Sequence, residues 1–204
     1  MIYSFHEGTI NDLITSPSHN YAITIGQNGM IKVWDYAKKV VFTEKIFSGK
    51  GTCLEHLPHT DQNKGRIFAA GFDNGIVRVF RINTDGLDIL KSFKAHEDAI
   101  VGIKFSQDLK MCVTGSSTGD VFFFMMDPVR NVQQFEPLCT IKLPDESHIN
   151  DFRWRDDDQY VIFGCKNGKA FKVRRPDPSE IDNSDSYLWE NPDLEDWTIQ
   201  ISEF

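Results

Sequence analysis

Nowhere in its 204 residues does the sequence run to the 18 or so apolar residues of a membrane-spanning helix, and no Cys-x-x-Cys pair occurs. The first absence argues against a helical membrane anchor. The second removes the common zinc-ribbon and dithiol-redox frameworks. Neither a Gly-x-Gly-x-x-Gly turn nor a Gly-Lys-Ser/Thr loop is present, so no nucleotide-phosphate cradle is read. The N-terminus lacks a basic segment followed by an apolar one, which points to a soluble, intracellular protein. Its four cysteines, Cys53, Cys112, Cys139 and Cys165, are then expected as buried reduced thiols. Lysine and arginine are missing from residues 176–204, where nine acidic side chains stand, so the net charge of -8 belongs to this tail and the body is close to neutral. Without a basic face to neutralise phosphates, nucleic acid is not expected as a partner.

What the chain does have is a recurring turn. Asn28-Gly29 returns as Asn74-Gly75, Thr118-Gly119 and Asn167-Gly168, each followed by a short β-rich run. The period of about 45 residues, with several strands in each, predicts a repeat architecture built from small sheets. Strands are read at 10–15, 21–25, 30–34 and 40–47, and the four-step pattern then repeats from 52 to 93 and from 99 to 143. A last unit offers only three strands, at 148–154, 160–164 and 169–174. The lone apolar segment at 2–5 could serve as its outer strand and close a ring of four sheets; the alternative is an open arc of a larger ring. The units are placed at about 6–47, 48–94, 95–143 and 144–175, followed by an acidic, aromatic tail at 176–204. Two longer connections, 59–65 and 127–136, are expected to be contact loops.

Trp34-Asp35 following Asn28-Gly29, with His6 upstream of both, resembles the WD-repeat β-propeller family, and the resemblance covers residues 1–175. It implies an all-β propeller of four four-stranded blades and a structural set in which His, Ser or Thr, a turn Asp and Trp are hydrogen-bonded. By position that set is His6, Thr24, Asn28 and Trp34, closed by Asp35. Asn28 stands where the family has Asp, and the third unit keeps only His96 and Thr114, so most units should depend on apolar packing. The segments at 68–80 and 6–13 further resemble the cilia- and flagella-associated WD-repeat proteins. That implies an axonemal scaffold that tethers or regulates dynein arms, with dynein-arm and doublet components as partners.

Other constellations carry less. Gly115-Ser116-Ser117-Thr118-Gly119 has the form of a nucleophile elbow and nominates Ser117 for a hydrolase, but a strand follows where the elbow needs a helix. Cys53, His56 and His59 have ligand-like spacing, yet residues three apart on a strand face opposite sides. His6 and His96 are turn residues, and Asp156-Asp157-Asp158 is read as a solvated turn balanced by Arg153, Arg155, Arg174 and Arg175. The expectation is a non-enzymatic interaction scaffold with no catalytic residue, cofactor, metal or membrane. A ubiquitin-ligase or trafficking adaptor is the alternative. Those four arginines, with Tyr187, Trp189 and Trp197 of the tail, are the candidate partner contacts. The tail either folds back on the body or docks on a partner.

Overall fold

A computed structural model describes residues 5–61, 63–127, 131–145, 147–181, 186–189 and 192–196, with 131–133 as backbone only. Four antiparallel four-stranded sheets follow one another in chain order. The first contains β1 (Ile10–Thr15), β2 (Tyr21–Gly26), β3 (Met30–Asp35) and β4 (Val40–Ile46). The second contains β5 (Gly51–His56), β6 (Ile67–Phe72), β7 (Ile76–Asn83) and β8 (Gly86–Lys94). In the third are β9 (Ile100–Phe105), β10 (Met111–Ser116), β11 (Asp120–Asp127) and β12 (Asn131–Lys142). The fourth holds β13 (Ile149–Trp154), β14 (Tyr160–Cys165), β15 (Ala170–Arg174) and β16 (Leu194–Asp196).

Each recurring turn joins the second and third strands of its sheet. Gly29, Gly75, Gly119 and Gly168 all have φ between 75° and 90°, the left-handed region that glycine enters without a side-chain clash. Their amides donate back across the turn to the carbonyls of Gly26, Phe72, Ser116 and Cys165. The Asn before three of them accepts from the amide two residues on: Asn28 from Met30, Asn74 from Ile76 and Asn167 from Lys169. This self-bonded turn is what the sequence period records.

Alternation along the strands gives each sheet two faces, and neighbouring blades share three cores. Ile23, Ile25, Ile31 and Val33 of the first blade pack on Leu54, Phe68, Phe72 and Phe80 of the second. Ala69, Val77 and Val79 meet Ile103, Cys112 and Phe124, and Val113, Val121 and Phe123 meet Phe152, Phe163 and Phe171. The inner strands β1, β5, β9 and β13 pack in that order, and no such packing returns from β13 to β1 among the described residues. The four sheets form an open arc.

Two expectations are corrected here. The fourth strand of the last sheet is β16, drawn from the tail, so residues 2–5 do not supply it; Phe5 is exposed and outside any strand, and residues 1–4 lie outside the described set. Three ladder positions pair β16 with β15, from Phe171↔Asp196 to Val173↔Leu194. The expected contact loop at 127–136 is instead largely hairpin. β12 starts at Asn131 and pairs with β11 through Met126↔Phe135, because Phe135 inserts its ring between Phe93 and Phe105. Gln and Pro in that stretch read as loop, but one buried aromatic carries the ladder outward.

Candidate functional site

In the first blade His6 Nε2 lies 2.7 Å from Thr24 Oγ1, and the Trp34 indole donates to the same oxygen at 2.8 Å. The chain N-terminal to β1 is thereby tied to the middle of the sheet through one hydroxyl. Asn28 stays out of this set, since its oxygen caps its own turn, and the buried His6 Nδ1 has no partner among the described residues. Asp35 likewise serves the next turn, accepting from the Lys38 amide at 3.0 Å, and that bond leads the interactions holding its carboxyl below the ordinary range. Burial pushes the His6 ring below its usual pKa. Thr24→Val should therefore leave two ring nitrogens unsatisfied and cost about 1 to 2 kcal/mol, read as a lower urea midpoint, while Thr24→Ser stays near the parent.

The third blade repeats half of the set. His96 Nε2 lies 2.8 Å from Thr114 Oγ1, and no indole completes it because Phe124 stands at the Trp position. Burial lowers the His96 pKa from 6.5 to about 4. A depressed histidine holds the folded state best as a neutral ring. Its contribution is whole above pH 6.5 and is lost as pH falls towards about 4, on the order of 3 kcal/mol in all. His96→Gln should flatten that acid limb in urea titrations compared across pH.

The second blade has neither His nor Thr here, and sequence reasoning passed over what replaces them. Arg78 is buried, with its guanidinium 4.4 Å from the Phe72 ring centroid and 5.2 Å from that of Phe47. It reaches Ser48 Oγ at 3.4 Å. Arg78 holds the register position of Lys32 in the first blade, beside Ala70 at the Thr24 position, and its guanidinium lies against two phenyl rings. The only signal was a cation set between the apolar Val77 and Val79 of β7.

The four candidate arginines are engaged within the chain. Arg153 pairs with Asp151 at 3.1 Å, Arg155 with Asp157, Arg174 with Glu180 at 2.5 Å, and Arg175 with Asp108 at 3.0 Å. The Arg155 side chain, through its hydrogen bonds, holds the Asp157 carboxyl at about 2. Asp158 is not solvated as expected. It is buried, and its two oxygens accept from the Gln107 and Asp108 amides of the third blade at 2.9 and 3.0 Å.

In the tail, Tyr187 and Trp189 flank a parallel bridge between Leu188 and Thr140 of β12. The Thr140 amide donates to the Tyr187 carbonyl at 2.6 Å, and the Trp189 amide donates to the Thr140 carbonyl at 2.9 Å. The Tyr187 ring meets Phe122 at 5.8 Å, and Trp189 packs on the core between blades three and four. Residues 187–189 and 194–196 of the tail thus fold back onto the body. Trp197 lies outside the described residues.

Ser117 sits in the hairpin turn between β10 and β11 with no helix after it, and its carbonyl accepts from His148 Nδ1 at 2.5 Å. Cys53 faces the third blade, where burial pushes its thiol to about 12, while His56 lies edge-on to Phe68 on the opposite face. Among the described residues no three His, Cys, Asp or Glu side chains gather to hold a metal ion, and no helix is long and apolar enough to cross a membrane.

The family model described as WD domain, G-beta repeat matches residues 1–35 and 87–124. These stretches contain His6, Thr24 and Trp34, and His96 and Thr114, the residues bonded above. A mouse protein named cilia- and flagella-associated protein 44 is 23% identical over 212 aligned positions, covering 95% of this chain and 11% of its own length. Its Chlamydomonas reinhardtii namesake is 25% identical over 203, covering 92% and 12%. Mouse WD repeat-containing protein 90 is 25% identical over 120, covering 58% and 6%. The chain thus spans roughly a tenth of the length of the relatives that match most of it. Four sheets in chain order, two repeat matches that fall on the blade tethers, and these relatives make the chain similar to WD-repeat proteins, with the four-stranded all-β sheets of a β-propeller.

Proposed function

We propose that the chain is a non-enzymatic scaffold of cilia and flagella that takes part in holding dynein-arm components to the axonemal doublets. The observation that carries this reading is that proteins named cilia- and flagella-associated protein 44, from mouse, Chlamydomonas reinhardtii and Trypanosoma brucei brucei, each align with 90% or more of the chain. The physical support is stiffness. The 59–65 connection is fixed at both ends: Asn63 accepts from the Thr60 and Gly65 amides and donates to the Pro58 carbonyl, and Ser16 and Ser18 of the first blade grip the Gly65 and Lys64 carbonyls. Surfaces already ordered lose little entropy when a partner binds.

The test is proximity labelling in ciliated cells with the chain fused to a biotin ligase. Enrichment of dynein-arm and doublet proteins over a cytosolic ligase control is the expected result. Labelling dominated by ubiquitin-ligase or trafficking subunits would overturn the ciliary reading and leave the adaptor alternative.

A further inference from the structure

The third residue of β3, β7, β11 and β15 faces one residue of the outer strand across the ladder, and these pairs set the blades side by side. Lys32 stands opposite Glu44 in the first, Arg78 opposite Ser92 in the second, Phe122 opposite Thr140 in the third and Lys172 opposite Glu195 in the fourth. Where the inner residue is lysine, the outer strand answers with glutamate, at 2.9 Å in the first blade and 2.8 Å in the fourth. Where it is phenylalanine, threonine suffices. The second blade alone sets a cation opposite a neutral residue.

That cation is also poorly satisfied. Arg78 is 9% exposed, and its Nη1 has no hydrogen-bond partner among the described residues. Phe47 and Phe72 offer ring faces but no acceptor, and the bond from Nη2 to Ser48 Oγ is long at 3.4 Å. Burial alone moves its pKa, and moves it down, as expected of a guanidinium with no carboxylate beside it. A buried charge is costly unless it is paired. Ser92, by contrast, is exposed on β8, the outer strand of its sheet, and its hydroxyl makes no hydrogen bond among the described residues. Residues directly opposite on antiparallel strands have Cβ atoms about 5 Å apart, so a group built on Ser92 Oγ lies within reach of the Arg78 side chain. Lys94, two residues on along the same face, is already engaged with Glu97, which leaves Arg78 as the uncompensated charge.

We infer that Ser92 is a phosphorylation site and that its phosphate neutralises Arg78 as Glu44 neutralises Lys32 and Glu195 neutralises Lys172. A protein kinase with ATP supplies the reaction. Ser92 Oγ bonds to the γ-phosphorus, the bond from that phosphorus to the β,γ-bridging oxygen breaks, ADP leaves, and the hydroxyl proton passes to the base of the kinase. The product carries about -1.5 to -2 charges and three acceptor oxygens. Arginine in place of lysine suits it, because the guanidinium fork meets two phosphate oxygens at once, where an ammonium is a point charge. Arg78 then exchanges its long bond to Ser48 for charge-assisted bonds that tie β7 to β8. The second blade thus holds a charge switch at its outer edge, with a buried unpaired cation before modification and a neutralised pair after it. This inference rests on strand register and is independent of the ciliary reading.

The first test is a double-substitution cycle on the whole chain, read in urea. Ser92→Glu gives the second blade the acid that the first and fourth already have, and it should favour folding about tenfold over Ser92→Gln. In an Arg78→Met background that advantage should vanish. The second test needs no variant at Arg78: the chain is expressed in cultured eukaryotic cells under phosphatase inhibitors and its peptides are mapped by mass spectrometry. Phosphate on Ser92, whose removal by phosphatase lowers the urea midpoint, is the expected result. An advantage of Ser92→Glu that persists without Arg78, equal midpoints for Ser92→Glu and Ser92→Gln, or a chain phosphorylated on Ser48 or nowhere would overturn the proposal. So would stabilisation of the parent by inorganic phosphate as large as that of Ser92→Glu, which would make Arg78 a site for a free anion.

Discussion

Gly75→Ala should cost about 3 to 5 kcal/mol, read from urea midpoints, while the same change at Gly168 costs only about 1 to 2. The two glycines share a turn type and nearly the same φ, 75° and 81°. Both variants therefore bear the left-handed penalty of an L-residue, about 1 to 2 kcal/mol. They differ in surroundings. A Cβ at Gly75 would sit 1.8 Å from the His96 carbonyl oxygen, where the chain entering the third blade crosses the turn and the Ala95 amide donates to the Gly75 carbonyl at 2.9 Å. Backbone cannot rotate aside as a flexible side chain can, so the crossing segment must lift and break that bond. At Gly168 no described residue lies within 4 Å. The difference between the variants isolates the cost of displacing a neighbouring blade, and equal losses at the two sites would refute this account.

Phe152→Ala should cost about 3 to 5 kcal/mol, the range for emptying a buried phenyl site. The ring stacks on Phe163 of its own blade at 5.1 Å. Its edge presses on the third blade, where a Cβ on Gly102 or Gly115 would come within 2.7 or 2.9 Å of it. Those glycines exist to admit the ring, and they cannot expand to fill its absence, so the cavity should persist. Phe152→Leu restores much of the volume and should recover more than half of the loss in calorimetric melting. Blades in an array are stabilised chiefly by their nearest neighbours, so the loss should fall on the third and fourth blades. Hydrogen exchange should show faster opening there than in the first.

The blade turns were legible because they are local. An Asn-Gly pair dictates its own hydrogen bonds, and the strands beside it alternate with period two. Apolar cores between blades followed from that alternation. Less visible were features that depend on residues distant in sequence. β16 is short, and two of its three residues, Glu195 and Asp196, are acidic, so nothing local marks it as a strand; its pairing is fixed by Lys172 and Arg174 of β15, which meet Glu195 at 2.8 Å and Asp193 at 3.5 Å. Of the four arginines read as candidate contacts, Arg153, Arg155 and Arg174 pair with acids two to six residues away, and Arg175 reaches a distant one, Asp108. Asp158 was misjudged because a run of three carboxylates looks solvated until two amides of the neighbouring blade converge on one of them. Likewise His6, Thr24 and Trp34 were found as a set, but Asn28 was assigned by analogy to Asp and instead satisfies its own turn.

The use of residues 194–196 as the outer strand of the last sheet bears on how the chain emerges during synthesis. Blades one to three become complete in order as the polypeptide lengthens, each ready to fold on the one before. Between the third and fourth strands of the last sheet, translation must continue from Arg174 to Leu194, and until then β15 remains an open edge. A polypeptide truncated anywhere in that interval would carry three finished blades and one unprotected strand, the species best suited to recruit a wrong partner or a chaperone.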